Sequence, residues 1–87
     1  FAKSAEQNFR LMAHLDRVCA LGYPVLVGVS RKSMIYKTLG ITPDESLAGT
    51  TALNWEALRA GATILRVHDV REAVQTVRLF EELERNR

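Results

Sequence analysis

The sequence predicts an α/β fold with parallel strands, on three observations. Two short apolar runs are present, Val25–Val29, all apolar or glycine as in a strand buried on both faces, and Ala62–Val67. Segments with helical spacing flank and separate them, giving the order helix, strand, helix, strand, helix. Strands joined through helices pair in parallel by right-handed crossovers. Finally, both runs stop abruptly at polar groups: Ser30-Arg31-Lys32-Ser33 after the first, and Arg66, His68 and Asp69 at the second. Ligands of α/β folds bind outside the carboxyl ends of their strands.

Each element has its own signal. Ser4 and Gln7 form a capping box, followed by an apolar stripe of Leu11, Met12, Leu15, Val18 and Cys19 that predicts one helix ending near Gly22. Val25–Val29 is the first strand. Ser33 to Leu39 reads as a short helix stopped by Gly40. Thr42-Pro43-Asp44-Glu45 is a second start signal, with Thr42 as cap, Pro43 in the first turn and Glu45 as capping partner. Gly49 is expected to break this segment, so the next helix is placed from about Thr50 to Ala60, before Gly61. After the second strand, Asp69 is expected to cap a helix whose apolar face is Val70, Ala73, Val74, Val77, Phe80 and Leu83. Its charged end, Glu81 to Arg87, is expected to fray.

Two parallel strands do not make a stable sheet alone, and strands buried on both faces need more cover than 87 residues supply. The chain also starts at Phe1, without Met, and enters a capped helix almost at once. The expectation is a piece of a larger α/β protein. With 47% apolar and 25% charged residues, the composition is that of an ordinary globular protein. The net charge of +2, with no long run of cations, does not suggest a nucleic-acid surface. No apolar run approaches the ~20 residues of a membrane span, and no signal peptide is visible. The single Cys19 offers no disulfide framework and suits a reducing, cytoplasmic compartment.

Alternation along the second strand puts Ile64, Arg66 and His68 on one face and Leu65 and Val67 on the other, against the helices. Arg66 offers a planar fork of donors suited to phosphate, and His68 a donor or a proton; taken alone, the pair equally fits a buried arginine paired with a carboxylate and a histidine bonded to backbone. Lys32 directly follows a buried strand and is a second cation for the same rim. Arg31 is the weaker candidate, because a neighbour of opposite pleat can turn back into a salt bridge. Ser30 and Ser33 are candidates both for helix capping and for an anion site, since caps leave N–H groups open. His14 reads as a rim residue, Trp55 and Tyr36 as packing or interface residues, and Cys19 as a small core residue. No metal-ligand cluster, Gly-rich phosphate loop or nucleophile elbow is present in the sequence.

Val27-Gly28-Val29-Ser30-Arg31-Lys32-Ser33-Met34-Ile35 and Arg66-Val67-His68-Asp69-Val70 resemble the last two strand motifs of the dihydropteroate synthase family. Gly49-Thr50-Thr51-Ala52 and Gly61-Ala62 stand between them at the spacing of that family, and Phe1-Ala2-Lys3-Ser4 resembles the end of its sixth loop. Tyr36, Ser46 and Ala2 depart from residues common there. The resemblance covers essentially the whole chain. It implies that residues 1–87 are the C-terminal part of a (β/α)8 TIM barrel, from the sixth helix to the eighth, with the rest of the barrel outside the chain. It implies an enzyme of folate biosynthesis, a transferase condensing 4-aminobenzoate with 6-hydroxymethyl-7,8-dihydropterin pyrophosphate. Mg2+ is implied too, with ligands outside this chain, as is a homodimer through late helices near Trp55. By the same resemblance Lys32 contacts the pterin and borders the aminobenzoate pocket, and Ser33 receives the aminobenzoate carboxylate. Arg66 and His68 hold pyrophosphate, and Phe1 lines the aminobenzoate side, where sulfonamides compete. Ser30 belongs to the same substrate-binding set, and Lys32, Arg66 and His68 are the catalytic candidates. A related barrel of the methyltetrahydrofolate methyltransferase type shares the fold but not Ser-Arg-Lys-Ser. A non-catalytic piece that assembles with other chains is a third reading. The segment alone is expected to be inactive.

Overall fold

The computed structural model describes residues 4–87. Helix α1 spans Ala5–Ala13, and its N-terminus is closed by the capping box: Gln7 N–H donates to Ser4 Oγ at 3.1 Å, and Ser4 N–H to Gln7 Oε1 at 3.3 Å. The single first helix expected from the stripe is in fact two. His14 leaves helical geometry at φ −115° and ψ 18°, and α2 restarts at Leu15–Cys19. Met12 and Leu15, on either side of the break, are both buried.

Strand β1 is Leu26–Val27 and strand β2 is Ile64–Leu65, paired in parallel with Leu26 opposite Ile64 and Val27 opposite Leu65. Both are shorter than the apolar runs predicted, because ladder hydrogen bonds need a partner strand and each strand here has one neighbour. Helix α3 spans Ser33–Leu39 and a 3₁₀ turn spans Pro43–Glu45, where Glu45 accepts from both the N–H and the hydroxyl of Thr42 at 3.0 Å. Helix α4 spans Leu47–Ala60 and α5 spans Val70–Arg85.

Gly49 does not break α4. It lies inside the helix because α3 crosses there: a Cβ on Gly49 would sit 2.5 Å from Ile35 Cγ2. Gly61 does end α4, at φ 111°, where a side chain would be strained. The end of α5 does not fray as expected; its helix runs to Arg85, with Arg85–Glu82 and Arg87–Glu84 ion pairs at helical spacing.

The core lies on one side of the two-stranded sheet. Val27, Val29, Met34, Ile35, Met12, Leu15 and Ala57 are its buried members, and Val29 and Met34 are wholly enclosed. Burying side chains of this size stabilises by about 1.5–3 kcal/mol each. The cover that strands buried on both faces need is missing from one face among the described residues, as expected of a piece of a larger α/β fold: Leu26 is 58% exposed and its partner Ile64 50%. Alternation explains the difference. Val25, Val27, Leu65 and Val67 turn toward the helices, while Leu26, Ile64, Arg66 and His68 turn to the open side.

Candidate functional site

The ladder is short, but its register persists beyond it. Leu26 pairs with Ile64, a separation of 38, and the same separation links Ser30 to His68 and Arg31 to Asp69 by side-chain hydrogen bonds. The loops after β1 and β2 are therefore tied, residue to register partner, at the carboxyl end of the sheet.

Ser30 is buried, at 4% exposure, and its hydroxyl faces His68 rather than the start of α3. Its Oγ accepts from His68 N–H at 3.1 Å and lies 2.9 Å from His68 Nδ1. A hydroxyl that accepts one hydrogen bond still has its own proton to give. That hydroxyl meets Nδ1 as donor or acceptor according to the tautomer and in either case sets the orientation of the ring, and His68 is exposed. Ser30 thus stands behind His68 as its orienting group.

Arg31 occupies a turn in which Lys32 N–H donates to Val29 O at 3.1 Å. Its φ of 55° is the only positive value at a non-glycine position among the described residues. A left-handed L-residue costs roughly 1–2 kcal/mol and persists where surrounding contacts fix it. Two such contacts are present. Arg31 N–H donates to Thr50 Oγ1 on α4 at 3.1 Å. The guanidinium grips Asp69 with Nη2–Oδ1 at 2.8 Å and Nε–Oδ2 at 3.4 Å, and Asp44 lies 3.8 Å away. Hydrogen bonding to Arg31 holds the Asp69 carboxyl below the usual carboxylate range, and Asp69 in turn raises Arg31. The backward salt bridge anticipated for Arg31 is present. The capping role expected of Asp69 is not: its side chain makes no cap hydrogen bond to α5, because the guanidinium takes both carboxylate oxygens.

Lys32 is the exposed residue before α3, with no side-chain cap bond, and Ser33 opens the helix, also exposed. Arg66 is exposed on the open face, its stem lying over Gly28, where a Cβ would stand 3.6 Å from Arg66 Cβ. Among the described residues neither Lys32 nor Arg66 forms an ion pair. The structure thus brings Ser30 and His68 into contact and puts Lys32, Ser33 and Arg66 on the same end of the sheet. Phe1 lies outside the described residues. Among the described residues no group of three or more His, Cys, Asp or Glu side chains could hold a metal ion. Two free cations, a hydroxyl and an imidazole at one sheet end can bind an anion and stabilise negative charge as it grows.

Thr50 and Asp69 were not assigned these roles from the sequence. A signal existed for Asp69, which stands one residue after His68 as Arg31 does after Ser30; Thr50, buried on α4 with Asn54 and Ala57, carries no local sign of its partner. Trp55 packs edge-on against Phe80, centroids 5.3 Å apart, which is a packing role.

The sequence model of the family described as "Pterin binding enzyme" matches residues 1–68. Dihydropteroate synthase of Streptococcus pyogenes serotype M3 is 46% identical over 85 residues, 95% of this chain and 32% of that protein. The structure superposes on Yersinia pestis dihydropteroate synthase bound to a pterine-sulfa conjugate with a TM-score of 0.94 and 37% identity, covering all of this chain and 34% of that one. On Coxiella burnetii dihydropteroate synthase in complex with pteroic acid the TM-score is 0.89 at 35% identity, covering 98% of this chain and 31% of that one. The chain spans about a third of the length of the curated relatives it matches. Its helices and two parallel strands correspond to part of the barrel of those enzymes.

Proposed function

This chain belongs to the family of pterin-binding enzymes, and we propose that it is the C-terminal part of a dihydropteroate synthase, from the sixth to the eighth helix of a (β/α)8 barrel. The proposed reaction joins the amine of 4-aminobenzoate to the methylene of 6-hydroxymethyl-7,8-dihydropterin pyrophosphate. The C–O bond to pyrophosphate breaks, its electron pair leaving with the oxygen, a C–N bond forms, and the amine gives up a proton.

The observation that carries this reading is Arg66, an exposed guanidinium with no carboxylate partner among the described residues, on the same face and strand as His68. Charge grows on the leaving pyrophosphate as the C–O bond breaks, and fixed donors placed there lower the barrier without having to reorganise. Arg66 and His68 hold that leaving group. Lys32 borders the pterin and aminobenzoate, and the Ser33 hydroxyl and N–H receive the aminobenzoate carboxylate. The open face with Leu26 and Ile64 is the one a barrel turns inward and fills with side chains from its other strands. Mg2+ is held by groups outside this segment. The full-length enzyme is cytoplasmic and a homodimer, for which exposed Leu79 and Leu83, one turn apart on α5, supply an apolar contact. No helix among the described residues is long and apolar enough to cross a membrane.

The test is pyrophosphate release by the complete polypeptide, with 4-aminobenzoate and the dihydropterin pyrophosphate as substrates. Release that depends on both substrates is expected. No release despite tight pterin binding would favour a barrel of the methyltetrahydrofolate methyltransferase type.

A further inference from the structure

We infer that Thr50, on α4, is a positioning residue for this reaction: its hydroxyl locks the left-handed Arg31 and so aims Lys32 and Ser33 at the aminobenzoate side. The inference rests on the proposed reaction.

Lys32 N–H bonds back to Val29 O, which makes Arg31 the third residue of a β-turn, at φ 55°. Glycine or asparagine fills such a position without strain. Arginine there is a choice against local preference, so something must hold it. The backbone is held by Thr50: Arg31 N–H donates to Thr50 Oγ1 at 3.1 Å, and Thr50 is 2% exposed, away from competing water. The side chain is held by Asp69, which lies next to His68 in the other loop. Threonine's hydroxyl is thus a fixed acceptor presented by a rigid helix to the single peptide that decides where the chain goes next. Lys32 and Ser33 are the next two residues, and both side chains are exposed on the rim. Arg31 contributes its geometry while its charge is spent on Asp69. Neither Thr50 nor Arg31 needs to touch a substrate.

The claim separates from mere packing by its dependence on the hydroxyl. Thr50→Val keeps the shape and removes the acceptor; Thr50→Ser keeps the acceptor and removes a methyl. Misplacing a substrate-positioning group by about an ångström costs on the order of 100-fold. In the complete polypeptide, Thr50→Val is expected to lower kcat/KM for 4-aminobenzoate by about 10- to 100-fold, mostly through KM. The KM for the pterin pyrophosphate should move little, and Thr50→Ser should retain near-normal values. Thermal unfolding of each variant checks the fold; should Thr50→Val not fold, Thr50→Ala takes its place with the same expected KM rise. Amide hydrogen exchange gives a readout independent of turnover. The Arg31 amide should be protected in the wild type and in Thr50→Ser and exchange faster in Thr50→Val. Equal Arg31 exchange in all three overturns the inference even if the enzyme is active. So does an aminobenzoate KM that Thr50→Val leaves unchanged, or one that Thr50→Ser raises equally. Wild-type protein that releases no pyrophosphate would instead sink the proposed function, leaving the exchange result to stand or fall alone.

Discussion

The two faces of this small sheet end in the same side chain put to opposite uses. On the covered face, the row Val25, Val27, Val29 ends at Arg31, whose guanidinium is gripped by Asp69. On the open face, the row Ile64, Arg66, His68 leaves Arg66 exposed and without an ion pair among the described residues. The pleat sorts the two cations. The one on the covered side, its side chain 38% exposed, pairs with Asp69 and lies near Asp44. One pointing to the inward face of a barrel stays available to a ligand. Charge and residue type are equal between them, so orientation alone divides the ion-paired arginine from the exposed one.

The most severe test of this division is Arg66→Ala in the complete polypeptide. Turnover should fall by about 10²–10³, the usual loss when one donor to developing charge is removed, with thermal unfolding near wild type. Near-normal steady-state kinetics would erase the difference between the faces. The covered face should respond in stability instead. Met34→Ala, at a wholly enclosed position, is expected to cost about 2–5 kcal/mol in denaturant unfolding. Gly49→Ala puts a Cβ against Ile35 and should cost about 1–3 kcal/mol by the same measurement.

The smallest effect concerns pH. Asp69 has a depressed folded-state pKa, so its pairing with Arg31 stabilises fully above the ordinary carboxylate range. That contribution disappears as pH falls through the folded value, in a window below about pH 4. The stability difference between wild type and Asp69→Asn should therefore be constant above pH 4 and shrink below it. A difference that grows on acidification would mean the pair does not stabilise the fold.

Much of this contrast was legible from residues alone. Period-two alternation separated Arg66 and His68 from Leu65 and Val67, and opposite pleat placed Arg31 in a salt bridge. The Ser4–Gln7 capping box was readable because its partners lie within one turn. What escaped depends on distant partners. Asp69 carries a local cap signal, but an arginine 38 residues away competes for the same oxygens and wins by ionic pairing. Gly49 carries a local break signal, yet the crossing of α3 requires a residue without a side chain there. Thr50 had no local signal for its bond to Arg31, since that contact exists only once α4 packs beside the turn. The break at His14 leaves no mark in the sequence that we can assign a physical cause.

The division of the two faces comes down to whether Arg66 holds the leaving group. Isothermal titration of inorganic pyrophosphate into the complete polypeptide measures this without any chemistry. A hydrogen bond to a charged group contributes about 1.5–3 kcal/mol, so Arg66→Ala should weaken pyrophosphate binding by about 10- to 100-fold. Unchanged affinity in that variant would contradict the account.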